Sequence, residues 1–119
     1  MERTCPVHEI MDFIGKRWTL IVLLELHRGK DRWKRYSRIK KGLNGITPKV
    51  LSMRLKELEK DGLVRRKVDA SRFPIKSEYS LTEKGEDFVR IIKDIKAWGY
   101  KWKIGNQTCK DVACRQCEI

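Results

Sequence analysis

The segment from Thr47 to Gly62 constrains the fold most, because both ends of a helix are marked in its sequence. Thr47 is a good N-cap, since its side-chain oxygen can accept a hydrogen bond from the first helical turn. Pro48 suits the first helical position, where no backbone N–H is needed. Three leucines share one face of this helix: Leu51, Leu55 and Leu58. The segment therefore predicts a helix with one buried face.

Four further helices are predicted from apolar residues at helical spacing. They cover residues 7–14, 16–27 and 33–41, and a long final helix follows Thr82, a suitable N-cap. The second of them is apolar around most of its circumference, as expected for a helix at the centre of a core. Residues 42–45 contain two glycines and predict a turn before the helix with the three leucines.

Two short β-prone segments follow that helix, at residues 63–68 and 78–81. A turn-rich segment separates them, which predicts a hairpin with a long tip. A helix pair joined by a glycine turn and followed by a hairpin is the winged helix-turn-helix arrangement. We therefore expect a mainly α fold with a small β-hairpin wing over residues 1–104. Residues 105–119 have no periodicity and are predicted to form a separate tail.

The net charge of +12 is concentrated in one quarter of the chain. Residues 32–60 contain ten basic and two acidic side chains, whereas residues 1–31 contain five of each. A charge that served only solubility would be spread more evenly, so this concentration predicts an anionic partner. A basic helix face is often simply solvated, but here it coincides with a glycine turn, a capped helix and a basic hairpin. This combination favours double-stranded DNA.

Several other classes of protein are not favoured by the sequence. There is no nucleophile with a local base, no glycine-rich phosphate loop and no pair of carboxylates in a cleft-like context, so we do not expect an enzyme. Acidic residues interrupt any apolar run near the start of the chain, so no secretory signal is predicted. The longest apolar stretch, residues 20–24, is far shorter than the about 20 residues that cross a bilayer. We expect a cytoplasmic protein that binds no membrane.

The face opposite the three leucines is predicted to enter a major groove. Lys49 can reach a guanine edge or a phosphate, Ser52 can bond to a base, and Met53 can contact a thymine methyl group. Arg54 lies on the flank, where it is better placed for a phosphate. The backbone N–H groups near Thr47 also present a positive helix end to a phosphate. The DNA-contacting residues predicted for this helix are Thr47, Lys49, Val50, Ser52, Met53, Arg54 and Lys56.

Basic residues outside this helix are predicted to add contacts to the DNA backbone. Those of the preceding short helix orient the protein by binding phosphates; they are Arg35, Arg38, Lys40 and Lys41. Arg65 and Arg66 lie on the first hairpin strand. Arg72, at the hairpin tip, is either a minor-groove contact or an ordinary surface residue.

The four cysteines are predicted to be thiols, metal ligands or redox sensors, because structural disulfides are rare in the cytoplasm. Cys109, Cys114 and Cys117 have the spacing C-x4-C-x2-C, and Cys5 could supply a fourth ligand if the two ends of the chain meet. Free or disulfide-forming thiols, a metal site and an iron–sulfur cluster all remain open. No effector is readable from the sequence.

Several sequence strings, taken in order, give the chain its resemblance to a known family. They are Cys5-Pro6-Val7, Ile14-Gly15-Lys16-Arg17-Trp18, Gly45-Ile46-Thr47-Pro48-Lys49-Val50-Leu51-Ser52, Asp61-Gly62-Leu63-Val64-Arg65-Arg66 and Glu78-Tyr79-Ser80-Leu81-Thr82-Glu83-Lys84-Gly85. With them the chain resembles the HxlR-type branch of the MarR-like winged-helix regulators over about residues 5–102. The resemblance implies a homodimer with one winged helix on each half-site, which controls transcription.

The resemblance also implies where the two subunits meet, namely through the N-terminal and C-terminal helices. An apolar stripe on the final helix fits this interface, although it could instead close its own domain. The predicted interface residues are Ile10, Phe13, Ile14, Phe88, Ile91, Ile92, Ile95, Trp98 and Trp102.

Redox sensing is a further implication, because several members of the family sense oxidants or electrophiles through a cysteine at the position of Cys5. Cys5 lies near a predicted helix start, a position that favours the reactive thiolate. Two alternatives differ in function: a metal- or cluster-binding redox sensor whose DNA binding is secondary, and an architectural protein that binds any duplex.

Overall fold

The computed structural model describes residues 5–71, 73–102 and 104. Five helices and three strands follow one another along these residues. They are α1 (Pro6–Ile14), α2 (Thr19–His27), β1 (Lys34–Arg35), α3 (Tyr36–Gly42), α4 (Pro48–Lys60), β2 (Val64–Asp69), β3 (Lys76–Leu81) and α5 (Glu83–Lys101). The predicted order of helices and hairpin is confirmed, and so is the winged helix-turn-helix fold class.

The three strands form one antiparallel sheet in the order β1-β3-β2. Val64 pairs with Leu81 at the base of the wing, and Lys34 pairs with Tyr79 on the other side of β3. The sequence predicted a helix over residues 33–41, which is wrong at its start, because residues 34–35 form β1. A strand of two residues has no periodicity of its own and exists only because β3 pairs with it.

The start of α2 also differs from the prediction, which placed residues 16–18 in the helix. Trp18 has φ 81°, in the left-handed region, so the helix begins at Thr19. The helix supplies Val22, Leu23 and Leu26 to the centre of the core, as predicted. It is not buried all round, however, since Ile21 is half exposed.

The predicted buried face of α4 is confirmed: Leu51, Leu55 and Leu58 are at most 1% exposed. Thr47 caps this helix as predicted, with its hydroxyl accepting a hydrogen bond of 3.2 Å from the backbone N–H of Val50. The burial of one face together with the cap fixes the rotation of α4 about its axis.

The end of α4 is tied to the start of α5. The hydroxyl of Thr82 donates to the carbonyl of Gly62 at 2.6 Å and accepts from the N–H of Gly85 at 3.1 Å, which confirms the second predicted cap. A Cβ on Gly85 would lie 2.2 Å from the carbonyl oxygen of Leu63, so only glycine fits this approach. Within residues 5–71 and 73–102 we find no helix whose length and hydropathy suit a membrane span.

Candidate nucleic-acid interface

The outward face of α4 carries basic and apolar side chains together. Lys49, Met53 and Lys56 are exposed on it, opposite the buried leucines. Ser52 and Val50 are only half exposed, and Val50 packs against the core. The hydroxyl of Ser52 donates to the hydroxyl of Tyr36 at 3.4 Å, which in turn donates to the carbonyl of Pro48 at 3.1 Å. Ser52 therefore lies at the edge of this face, against α3.

Arg54 has a different surrounding from the one that the sequence predicted. Its Nε donates to the backbone carbonyl of Arg17 at 2.8 Å, and its Nη1 donates to Glu57 at 2.9 Å. Only 14% of the side chain is exposed. The guanidinium is thus occupied within the chain, so we reassign Arg54 from phosphate contact to positioning of α4.

The segment between α1 and α2 contacts α4 through Glu57 and Arg54. The ammonium of Lys16 lies 2.9 Å from the carboxylate of Glu57. This hydrogen bond, and then those from Arg54, hold the pKa of Glu57 below its usual value. The ring of Trp18 lies beside the turn before α4, since a Cβ placed on Gly45 would be 3.9 Å from it. These long-range contacts could not be predicted from local periodicity.

The two faces of β2 present different basic side chains. Arg65 and Lys67 lie over the ring of Trp33, at 5.6 and 4.5 Å from its centre. Lys67 also lies 3.7 Å from a carboxylate oxygen of Glu78. Arg66 points to the opposite face, because side chains alternate along a strand, and donates to the hydroxyl of Ser77 at 3.4 Å. The wing is therefore stiffened on one face and carries a cation on the other.

A groove of about 700 Å³ lies among the β2–β3 hairpin, the start of α3 and Ser52 of α4, and we call it the α4–wing groove. Its lining comprises Arg35, Tyr36, Ser37, Ser52, Arg66, Phe73, Pro74, Ile75, Lys76, Ser77 and Tyr79. Among the described residues of this lining, the charged side chains are all basic. Burial raises the pKa of Tyr79, which keeps its phenol uncharged, so the groove suits an anion.

The basic residues of α3 and its approach are not equivalent. Arg35 and Lys41 are exposed, and Lys40 is half exposed. Arg38 is exposed but pairs with Asp31, whose pKa this hydrogen bond lowers. An Arg38–phosphate contact would therefore compete with Asp31.

Lys34 is the one basic residue of this region that the structure buries, at 3% exposure. Its ammonium donates to the carbonyls of Glu25 and Arg28, at the C-terminal end of α2. A cation is favourable at the negative end of a helix, but burial lowers the pKa of Lys34 to about 8. The sequence analysis included Lys34 only in the total of basic side chains and did not predict its burial.

Two helices away from the candidate interface, α1 and α5, carry exposed apolar residues. Trp98 on α5 and Trp102, which directly follows this helix, are 60% and 62% exposed. The other exposed members of the predicted interface are Ile10, Ile91 and Ile95. Phe13 and Phe88 are half exposed and meet edge to face, at 6.2 Å between ring centres, and Ile14 is half exposed as well.

Ile92 requires a correction. It was predicted to lie in an interface between subunits, but it is only 8% exposed and belongs to the core of its own chain. The helical stripe on α5 is wide enough to face two ways: Val89 and Ile92 turn inward, whereas Ile91 and Ile95 turn outward.

Of the four cysteines, the structure describes only Cys5. Cys5 is an exposed free thiol at the N-cap position of α1. Arg72 and the cluster Cys109, Cys114 and Cys117 lie outside the described residues, so their roles stay predictions. In the described part of the chain, no three His, Cys, Asp or Glu side chains lie close enough together to hold a metal ion.

Comparison with known proteins gives consistent matches over this fold. The profile of the HxlR-like helix-turn-helix family matches residues 13–107. The chain is 41% identical over 99 residues to the HTH-type transcriptional regulator YdeP of Bacillus subtilis, covering 83% of this chain and 74% of that one.

Solved structures agree with these matches. A MarR-family transcriptional regulator from Porphyromonas gingivalis superimposes with a TM-score of 0.73 at 34% identity, over 83% of this chain and 93% of that one. The redox regulator HypR in its oxidized form gives a TM-score of 0.69 at 37% identity, over 82% and 96% of the two chains.

Proposed function

The chain belongs to the HxlR-like helix-turn-helix family of transcriptional regulators, which are not enzymes, and we propose that it binds specific double-stranded DNA sites as a homodimer. In this proposal α4 is the recognition helix and the β2–β3 hairpin is the wing. The activity belongs in the cytoplasm, with the DNA that it regulates.

The orientation of α4 carries the proposal. Its leucine face is buried and its opposite face presents Lys49, Met53 and Lys56 to solvent. A lysine can bond to a guanine edge, and a methionine can contact the methyl group of thymine, so this face can distinguish base pairs. The exposed side chain of Met53 is apolar and cannot bind a phosphate, so it favours a face that contacts bases.

Phosphate contacts are proposed for the cations around this face. Arg35 and Arg66 line the α4–wing groove, and Lys41 is exposed at the end of α3. Such contacts orient the protein without reading sequence. Lys34 and Arg54 are left out of this set, because both are bound within the chain.

Dimerisation is supported by the exposed apolar residues of α1 and α5. Monomeric proteins rarely expose large apolar patches, and such patches usually mark an interface. Ile10 on α1 and Trp98 on α5 would be covered by the same residues of a second copy, as in a two-fold interface. The two α4 helices would then read half-sites one helical turn apart, about 34–36 Å.

Regulation through Cys5 is part of the proposal and draws on two observations. The thiol is exposed at the start of α1, the helix that we place in the dimer interface. One structural neighbour is named a redox regulator. A group added to the Cys5 sulfur would press on α1 and so change the distance between the two recognition helices.

The experiment that tests the function is selection from a random pool of duplexes, followed by salt titration. We expect the selected duplex to bind at least about 1,000-fold more tightly than a scrambled one at physiological salt. Equal affinities for the two duplexes would contradict sequence-specific regulation and would instead indicate an architectural protein.

A further inference from the structure

The tip of the wing is apolar and exposed. Phe73 is 98% exposed, and Ile75 is 61% exposed. Neither residue belongs to the hydrophobic core or packs against it. A ring that stays exposed gains no hydrophobic free energy when the chain folds, so the folding of the chain itself does not explain Phe73.

The tip lies beside the proposed recognition helix. Phe73 and Ile75 line the same α4–wing groove as Ser52 of α4. The charged residues of that groove are Arg35, Arg66 and Lys76. An apolar tip beside these basic side chains is poorly suited to an ordinary apolar protein surface, but it suits a partner that is anionic outside and apolar between its stacked bases.

We propose that Phe73 inserts its ring between two base pairs in the minor groove beside the half-site, so that the protein kinks the DNA that it binds. This inference rests on the proposed function. Phenylalanine wedges of other minor-groove proteins unstack one step and bend the duplex by about 20–90°. Pyrimidine–purine steps unstack most readily, so the wedge adds a preference for such a step at a position that α4 does not touch.

The test uses the full-length protein and a duplex selected by the wild type. Donor and acceptor dyes at the two ends report bending, and a fluorescent adenine analogue at the flanking pyrimidine–purine step reports unstacking. Phe73→Ser removes the wedge, and Phe73→Leu keeps an apolar wedge. Ile21→Ser is the matched control, since it removes an exposed apolar side chain that does not line the α4–wing groove.

We expect Phe73→Ser to abolish the bend and the unstacking signal and to weaken binding about tenfold. Its salt dependence should keep the wild-type slope, because no cation is lost. Phe73→Leu should retain most of the bend, and Ile21→Ser all of it. Thermal unfolding should be unchanged, since Phe73 packs against nothing in the core.

Other outcomes would overturn the inference. Wild-type bending and unstacking in Phe73→Ser would mean that the ring does not enter the duplex. A changed oligomeric state with unchanged DNA binding would mean that the tip contacts protein. Failure of the wild type to prefer any duplex would instead contradict the proposed function, so the two failures are distinguishable.

Discussion

The carboxylate of Glu57 on α4 lies 2.9 Å from the ammonium of Lys16, a residue of the segment that joins α1 to α2. Arg54 completes this link, because its guanidinium bonds to both Glu57 and the backbone carbonyl of Arg17. The helix proposed to read DNA is therefore bonded to the segment that follows α1. A displacement of α1 would reach α4 through these bonds.

Replacing Glu57 with glutamine should make this link independent of pH. The pKa of Glu57 is lowered in the folded state, so its stabilising effect is present above the unfolded pKa and is lost as pH falls through the folded pKa. We expect wild type to exceed Glu57→Gln in free energy of unfolding by about 0.5 kcal/mol near pH 7, as for a partly exposed pair. Urea unfolding over a pH series measures this difference, and a difference that did not shrink in acid would contradict it.

Lys34 predicts a rise in stability with pH in the alkaline range. Its pKa is lowered from 10.5 to about 8, so between these values the unfolded chain binds more protons than the folded chain, and stability rises with pH. The free energy of unfolding of wild type relative to Lys34→Met should therefore increase from pH 8 toward 10.5. Lys30→Met, which removes an exposed lysine, is the control and should show no such rise. A flat difference for Lys34→Met would show that its ammonium is not desolvated.

The exposed apolar stripe predicts the effect of Trp98→Ser. This change removes an exposed ring from α5 and should weaken the proposed dimer, with at least about a tenfold increase in its dissociation constant. Ile21→Ser, on α2, should leave the dissociation constant of the proposed dimer unchanged. Sedimentation equilibrium measures both variants. A wild-type chain that is monomeric at all concentrations would contradict the proposed interface.

Alkylation of Cys5 with N-ethylmaleimide should change the affinity of the wild type for its selected duplex. The Cys5→Ser variant should keep its affinity after the same treatment. Because the sequence contains three other cysteines, the control is a variant with serine at Cys109, Cys114 and Cys117, which should respond as the wild type does. An equal response in Cys5→Ser would assign the effect to the other cysteines.

Local sequence signals were sufficient for α4, and they failed where distant residues decide. Thr47 and the leucine spacing define a helix and its buried face without reference to the rest of the chain. By contrast, β1 forms because β3 lies beside it, and Arg54 turns away from the surface because the carbonyl of Arg17 lies within its reach. No pattern within α3 or α4 contains that information.

Helical spacing also could not separate Ile91 from Ile92. Both belong to one wide apolar stripe, but of the two only Ile92 is buried in the core. The excess of basic residues over 32–60 likewise did not show which of them are exposed. The ammonium of Lys34 is buried and bonds to the end of α2, so it does not add to the surface charge.

The most direct test of the account compares Lys49→Ala with Lys60→Ala. Both changes remove one exposed lysine from α4, but only Lys49 lies at the end of the helix that is proposed to enter the major groove. Selection from a random duplex pool should show that Lys49→Ala loses a base preference and about 1–3 kcal/mol of affinity, whereas Lys60→Ala keeps the wild-type preference. Identical preferences and affinities for wild type and Lys49→Ala would contradict recognition by this face of α4.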